Sequence, residues 1–244
     1  MKFENTEVWG FKHALRGMRN PMNSWDKSDS DFSDECHSQS TEACEDCEYF
    51  DGFNVPCLPK IGKNDMALAQ KLIRAGSEHR KFLRQIFVSV DITAPLYWMA
   101  EFDTYKVGTV ANSTSKMHKI LSSPITEDNF EMDDATDFDK HIMEKIVDMC
   151  ESIRQRQLAI DPSKGNPKKY WKALIRVLPE SWLQTRTITM NYENLLSICK
   201  QRRNHKLNEW SGKDDPTKPN FIAWARSLPY AKEFIFLDEE QETE

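Results

Sequence analysis

No stretch of this chain is apolar for long enough to cross a bilayer, which takes about 20 consecutive apolar residues. Its first residues, Met1-Lys2-Phe3-Glu4-Asn5, also lack the apolar region of a secretion signal. A cytoplasmic protein is the expectation from these two absences. Positive charge is in deficit as well: 33 Lys and Arg against 39 Asp and Glu give a formal net charge of -6. That balance argues against a generic grip on polymeric nucleic acid, while leaving room for a local basic pocket around one nucleotide phosphate. There is no Walker-type phosphate loop, no internal repeat, and no paired CxxC spacing of a strong zinc signature. Without a leader, the six cysteines read as thiols or metal ligands rather than as a disulfide framework.

What is present suffices for a core. The 244 residues read as a single domain over residues 1–237, followed by an acidic tail, 238–244, expected to be disordered. From Asn23 to about Cys57 the chain is packed with Ser, Asp and Glu and almost free of aliphatics, too little apolar surface to fold alone. This segment, bounded at about 23–60, reads as an inserted surface loop. Within it Cys36, Cys44, Cys47 and Cys57, with His37 beside the first, form a candidate four-thiolate zinc staple; reduced surface cysteines are the alternative.

Elsewhere the periodicity changes from element to element. Asn64 and Asp65 are cap candidates for a helix in which Met66, Leu68, Ala69, Leu72 and Ile73 share a face, ending near Gly76. Gln85 to Ile92 alternates with β-branched residues and predicts a strand. Pro95 suits the first turn of a helix over Leu96 to about Asp103. Residues 137–158 place Ile142, Ile146, Met149, Cys150 and Ile153 at helical spacing, a core helix with no evident chemistry. After the polar turn 161–165 come a helix to about Val177, a strand around Thr185 to Met190, and a helix opening at Asn191 and running to about Arg203. Strands and helices without regular βαβ alternation predict an α+β fold.

Two stretches concentrate chemistry-bearing residues. Ala94 to Lys119 brings hydroxyls, an amide and cations just after a buried strand and helix. Backbone N–H groups and hydroxyls near Gly108 could wrap phosphate oxygens, with charge from Lys106, Lys116 or Lys119; a solvated loop is the plain alternative. In Thr189 to Trp210, Asn191 and Arg202 lie about three helical turns apart on one face, where a guanidinium could meet a phosphate or a flat ring. Equally, Arg202 and Arg203 could be ordinary charges at a helix C-terminus. Tyr105 and Trp98 are candidates to stack on a ring or simply to pack, and Cys150 and Cys199 read as core thiols.

Taken in order, these stretches resemble the flavin-dependent thymidylate synthase family. Ala94-Pro95, Leu178-Pro179, Asn191 and Arg202 match its landmarks at similar spacing, over most of the chain from Met66 to Trp210, with a weaker echo at Ala14 to Arg19. The signature departs: Thr104-Tyr105-Lys106 stands where the family has Arg-His-Arg. The following Ser appears as Thr114, or as Ser115 with one residue inserted, Asn112 takes an acidic position, Lys116 takes that of an Arg, and Glu193 that of a flavin-contacting Arg. The resemblance implies an α+β, thymidylate-synthase-like fold with a mixed sheet, and a homotetramer with FAD between subunits. It implies methylation of dUMP to dTMP, with NADPH and methylenetetrahydrofolate as co-substrates. Carried over residue by residue, Thr114 and Ser115 are the catalytic candidates, and Thr104, Tyr105, Lys106, Thr109, Asn112, Lys116, Arg176 and Arg202 would hold the nucleotide. His79 and Asn191 would lie on the flavin side. A related pyrimidine nucleotide modification, and a non-enzymatic nucleotide- or flavin-binding module with a regulatory role, are the rival expectations.

Overall fold

The protein is described by a computed structural model that covers residues 1–32, 59–161, 163 and 168–238. Most of the acidic insertion, with Cys36, Cys44, Cys47 and Cys57, and tail residues 239–244 lie outside the described residues. The fold is α+β, as the patterning predicts. In chain order come β1 (Lys2–Trp9), α1 (Phe11–Arg19), α2 (Lys63–Arg74), β2 (Phe87–Pro95), α3 (Leu96–Phe102), β3 (Val110–Ser113) and the single turn α4 (Lys116–Lys119). Then follow α5 (Asp137–Leu158), α6 (Lys169–Val177), β4 (Leu183–Asn191), α7 (Tyr192–Arg202) and three short helices, α8 (Asn208–Ser211), α9 (Phe221–Arg226) and α10 (Ala231–Phe234). The strands form one sheet in the order β1-β2-β4-β3. Its last pair is antiparallel, with Val110 opposite Thr189 and Ser113 opposite Arg186. The chain divides into two compact units, Met1–Thr6 with Val90–Thr189, and Glu7–Ser89 with Met190–Glu244.

In the first unit the core gathers around Ile120, Ile125, Phe130, Cys150 and Leu174, with Ile146, Ile153, Trp171 and Trp182 packed against it. α5 starts at a capping box: Thr136 Oγ1 accepts from the Asp139 N–H at 3.2 Å, and the Asp139 carboxylate accepts from the Thr136 N–H at 3.0 Å. α5 is less of a core helix than its spacing predicts, because Ile142 and Met149 are 39% and 43% exposed. At 100° per residue they sit about 80–100° round the helix from the buried Cys150, at the edge of the apolar stripe. Arg154 and Gln157 instead occupy the inward face.

The second unit is built on aromatic packing. Phe11 of α1 meets Tyr192 edge-on at 5.8 Å, and Phe82 meets Phe234 at 6.0 Å. Tyr192 is fully buried and its hydroxyl donates to the Pro229 carbonyl at 2.7 Å; burial pushes that phenol well above its ordinary pKa. The start of α2 corrects the sequence reading. Neither Asn64 nor Asp65 caps it: the Asn64 and Asp65 N–H groups donate to the carboxylate of Asp29 at 2.9 and 3.1 Å, and the N-cap position is Gly62. A Cβ at Gly62 would lie 2.3 Å from Asp29, which explains the glycine. Asp65 itself turns inward and binds Arg19 Nε at 2.6 Å.

β2 also differs from its expected bounds. It begins two residues late, because 81–85 forms a 3-10 turn that buries Phe82 and Leu83. It then continues through Pro95, which is extended at φ -68°, ψ 155° and precedes α3 rather than joining it. The next two N–H groups, Leu96 and Tyr97, donate to Trp182 and Glu180 carbonyls at 3.1 and 3.2 Å. Those bonds tie the strand-to-helix corner to the approach of β4.

Candidate functional site

A cleft of about 240 Å³ lies within the first unit, where β3 runs into α4. Thr114, Ser115, Lys116, Lys119, Ser122, Ser123 and Asn129 supply its polar lining. Ile120, Ile125 and Trp182 supply apolar wall. The local backbone explains the arrangement. The Thr114 N–H donates to the Thr185 carbonyl at 2.9 Å, and the Thr114 carbonyl accepts from Gln184 Nε2 at 2.9 Å, so β4 fixes the point at which the chain leaves the sheet. Ser115 then caps α4, its Oγ accepting from the His118 N–H at 3.3 Å. One helical turn places Lys116 and Lys119 as i, i+3 neighbours on one side. Two ammonium groups, several hydroxyls and, among the described residues, no lining carboxylate give the cleft the chemistry of an anion site.

Three of the residues singled out from sequence, Thr114, Ser115 and Lys116, therefore meet in one place, together with Lys119. The others lie elsewhere. Thr104 is exposed and its hydroxyl donates to the Glu101 carbonyl at 2.7 Å. Thr109 Oγ1 donates to the Tyr105 carbonyl, closing a tight turn around Gly108, which has φ +78°. Tyr105 packs toward Phe102, with ring centroids 6.4 Å apart, while Lys106 projects into solvent. Asn112 stands on β3 opposite Thr187 and is exposed, and Arg176 is exposed in the last turn of α6.

The remaining candidates belong to the second unit. Asn191 forms a capping box with Asn194: its Oδ1 accepts from the Asn194 N–H at 3.0 Å, and Asn194 Oδ1 accepts from the Asn191 N–H at 3.2 Å. Arg202 lays its guanidinium over the Trp210 ring at 4.9 Å. His79 is exposed in the turn after α2, its N–H bonded to the Gly76 carbonyl at 3.0 Å. Glu193 is gripped by Arg80 Nε, 3.1 and 3.0 Å from its two oxygens. Trp98 is fully buried and stacks on Phe102 at 5.3 Å, so it packs rather than receiving a ligand ring.

The sequence reading missed Ser122, Ser123, Asn129 and Trp182. Ser122 and Ser123 carried a local signal, a Ser-Ser-Pro run just after Lys119. Trp182 carried none, since only strand pairing brings it beside residues nearly seventy positions earlier. Among the described residues no group of His, Cys, Asp and Glu is arranged to hold a metal ion, and no helix is long and apolar enough to cross a membrane.

Fold and cleft together define an α+β protein with a cationic, hydroxyl-rich cleft at the end of a sheet strand. Two solved structures similar to it in fold are of flavin-dependent thymidylate synthase. The chain is similar to the ThyX enzyme of Helicobacter pylori complexed with FAD and dUMP, at TM-score 0.58 and 13% identity over 98% of this chain and 99% of that one. A second structure of ThyX from Helicobacter pylori with FAD and dUMP gives TM-score 0.58 and 12% identity, covering 95% of each chain. At these identities the likeness establishes the fold. No family model matches the chain, and no curated protein matches it by sequence.

Proposed function

We propose that the protein is an FAD-dependent enzyme acting on a pyrimidine nucleotide, with methylation of dUMP to dTMP as the reaction and methylenetetrahydrofolate and NADPH as co-substrates. The observation that carries this reading is the cleft where Thr114, Ser115 and Lys116 converge, on a fold shared with enzymes solved with FAD and dUMP. Lys116 and Lys119 neutralise the nucleotide phosphate, the hydroxyls of Thr114, Ser115 and Ser123 orient it, and Trp182 offers an apolar surface. Thr114 and Ser115 stand nearest the reacting pyrimidine in this reading, as hydrogen-bonding groups rather than nucleophiles.

FAD would meet His79 and Asn191. His79 suits that role, being exposed. Asn191 has its oxygen committed to the helix cap, which leaves its amide N–H groups to donate. When bound and reduced, FAD supplies the redox chemistry; the protein contributes binding and orientation. The active form in this reading is a cytoplasmic homotetramer in which residues 1–237 act as one thymidylate-synthase-like domain, and Thr104, Tyr105, Lys106, Thr109, Asn112, Arg176 and Arg202 are the outlying nucleotide contacts.

An anaerobic titration of purified protein with FAD and dUMP, followed at the flavin absorbance bands, tests this. Saturable FAD binding that dUMP sharpens is expected. Failure to bind either ligand would remove the enzyme reading and leave the fold as it stands.

A further inference from the structure

The inward face of α5 carries charge where its helical spacing predicts only apolar packing. Arg154 is 5% exposed and Gln157 8%, while the Glu151 side chain is 26% exposed. Each holds main chain outside its own helix. Arg154 Nη1 donates to the Leu121 carbonyl at 2.9 Å, and its Nε and Nη2 fork onto the two Glu151 oxygens at 2.8 and 3.0 Å. Glu151 Oε2 also accepts the Ile125 N–H at 2.9 Å. Gln157 Oε1 accepts the Tyr170 and Trp171 N–H groups at 2.9 and 2.6 Å, and Trp171 Nε1 in turn donates to the Met117 carbonyl at 3.0 Å. The chain from Met117 to Ile125 is thus held at three backbone points, and Lys119, Ser122 and Ser123, which line the cleft, lie between them.

Stability alone does not account for this arrangement. Replacing a buried ion pair with apolar residues of similar volume is often neutral or stabilising, and the surrounding cluster of Ile120, Ile125, Cys150 and Leu174 is already apolar. What an apolar pair cannot do is fix the Leu121 carbonyl and the Ile125 N–H four residues apart. We propose that Glu151 and Arg154 are positioning residues of the cleft: they hold the 121–125 loop so that Lys119 and Ser123 stand ready for a phosphate monoester before it arrives, with Ser122 bracing the turn by donating its hydroxyl to the Lys119 carbonyl at 2.6 Å. This rests on the nucleotide reading of the cleft. Binding then costs less ordering of the loop, which is where preorganisation contributes affinity.

The test uses the full chain and three variants: Glu151→Gln, Arg154→Lys, and the apolar double Glu151→Leu/Arg154→Met. Amide hydrogen exchange is measured without ligand, and affinities for dUMP and for inorganic phosphate are measured by calorimetry. In Glu151→Gln the Ile125 amide is expected to exchange at least about tenfold faster and dUMP and phosphate to bind about tenfold more weakly, as for loss of one charge-assisted hydrogen bond. The β4 amides should be unchanged. The double variant should regain thermal stability without regaining affinity, a separation that a purely structural role would not produce. Should Glu151→Gln fail to fold, Arg154→Lys, which keeps charge but loses the fork, carries the same expectations. An Ile125 amide as protected as in the wild type, or affinity returning together with stability in the double variant, would overturn the proposal. If the wild type binds neither dUMP nor phosphate, the nucleotide reading fails and the preorganisation proposal fails with it; the exchange data then still report separately whether the pair holds the loop.

Discussion

Replacing Asp65 by Leu should be among the most destabilising single changes in the second unit, and more harmful than removing its partner. Asp65 is fully buried and its carboxylate binds Arg19 Nε at 2.6 Å, Ser28 Oγ at 2.6 Å and both the N–H and the hydroxyl of Ser30. Burial by itself would raise the Asp65 pKa, but the hydrogen bonds from Ser28, Ser30 and Arg19 outweigh it and the pKa is lowered, so the group is a carboxylate at neutral pH. Without it, Arg19, 4% exposed, keeps among the described residues one partner, the Ser24 carbonyl at 3.2 Å, and its Nη2 has no hydrogen-bond partner among them. An uncompensated buried charge costs about 3–5 kcal/mol. For a chain of this size that corresponds to a fall in Tm of roughly 6–20 °C. Arg19→Met removes one donor of four and leaves the carboxylate with both serines, so its cost should be about 1–3 kcal/mol. The double variant Arg19→Met/Asp65→Leu should be more stable than Asp65→Leu alone. Thermal unfolding followed by circular dichroism at pH 7 gives the ranking. Equal losses for the two single variants, or a double variant no better than Asp65→Leu, would refute the reasoning.

Lys116→Met should weaken dUMP binding by roughly tenfold to a hundredfold, the loss of one charge-assisted contact, with Tm shifted by no more than a degree or two; calorimetry and thermal shift report the two quantities on the same sample. Asn191→Ala should lower stability by about 1 kcal/mol through loss of the helix cap. If FAD binding stays as tight in that variant, Asn191 is a cap and nothing more; a weakened FAD titration would support its place on the flavin side. The Glu151 carboxyl is pulled down to about 2 from its ordinary 4.5, chiefly by hydrogen bonding from Arg154. Its contribution to stability is therefore complete above pH 4.5 and lost as pH falls toward 2; screening of its quarter-exposed side chain limits the amount to about 1–2 kcal/mol. Glu151→Gln should flatten the loss of stability over that acid range in a pH series of denaturant midpoints, and an unchanged slope would contradict it.

How much of this was legible in the sequence depended on how local the cause was. The long period from Asp137 to Leu158 and the alternation before Pro95 announce α5 and β2, because burial of a stripe or a face leaves its mark within a few residues. The cap of α2 left no such mark: the carboxylate that does the work, Asp29, lies 33 residues before the Gly62 N-cap, so Asn64 and Asp65 looked like the caps. In the same way Glu151 and Arg154 left no mark, because the apolar spacing of α5 announces only a core helix. Only packing of α5 against its neighbours shows that they hold a loop. Thr114, Ser115 and Lys116 come together because the strand end and the helical turn that gather them are contiguous; Arg176 and Arg202, carried over from the family resemblance, do not line that cleft.

The proposed nucleotide reading can be weighed by the charges the cleft holds. A phosphate monoester carries about -1.5 to -2 near neutral pH, and Lys116 and Lys119 match that charge with no lining carboxylate among the described residues to oppose them. Thr104 and Thr109, whose hydroxyls close their own turn, add nothing to that balance. In the proposed nucleotide reading, charge neutralisation therefore needs no arginine triplet, but two lysines do not provide the fork that would fix the orientation of a phosphate. Orientation then falls to groups that are themselves fixed by backbone: Ser115 at the head of α4, Thr114 tied to Thr185 and Gln184, and Ser123 between the two anchor points that Arg154 and Glu151 supply. A cleft that relies on compact ammonium groups for affinity needs a rigid frame of hydroxyls for specificity, and in the proposed reading the charged residues on the buried face of α5 supply that frame.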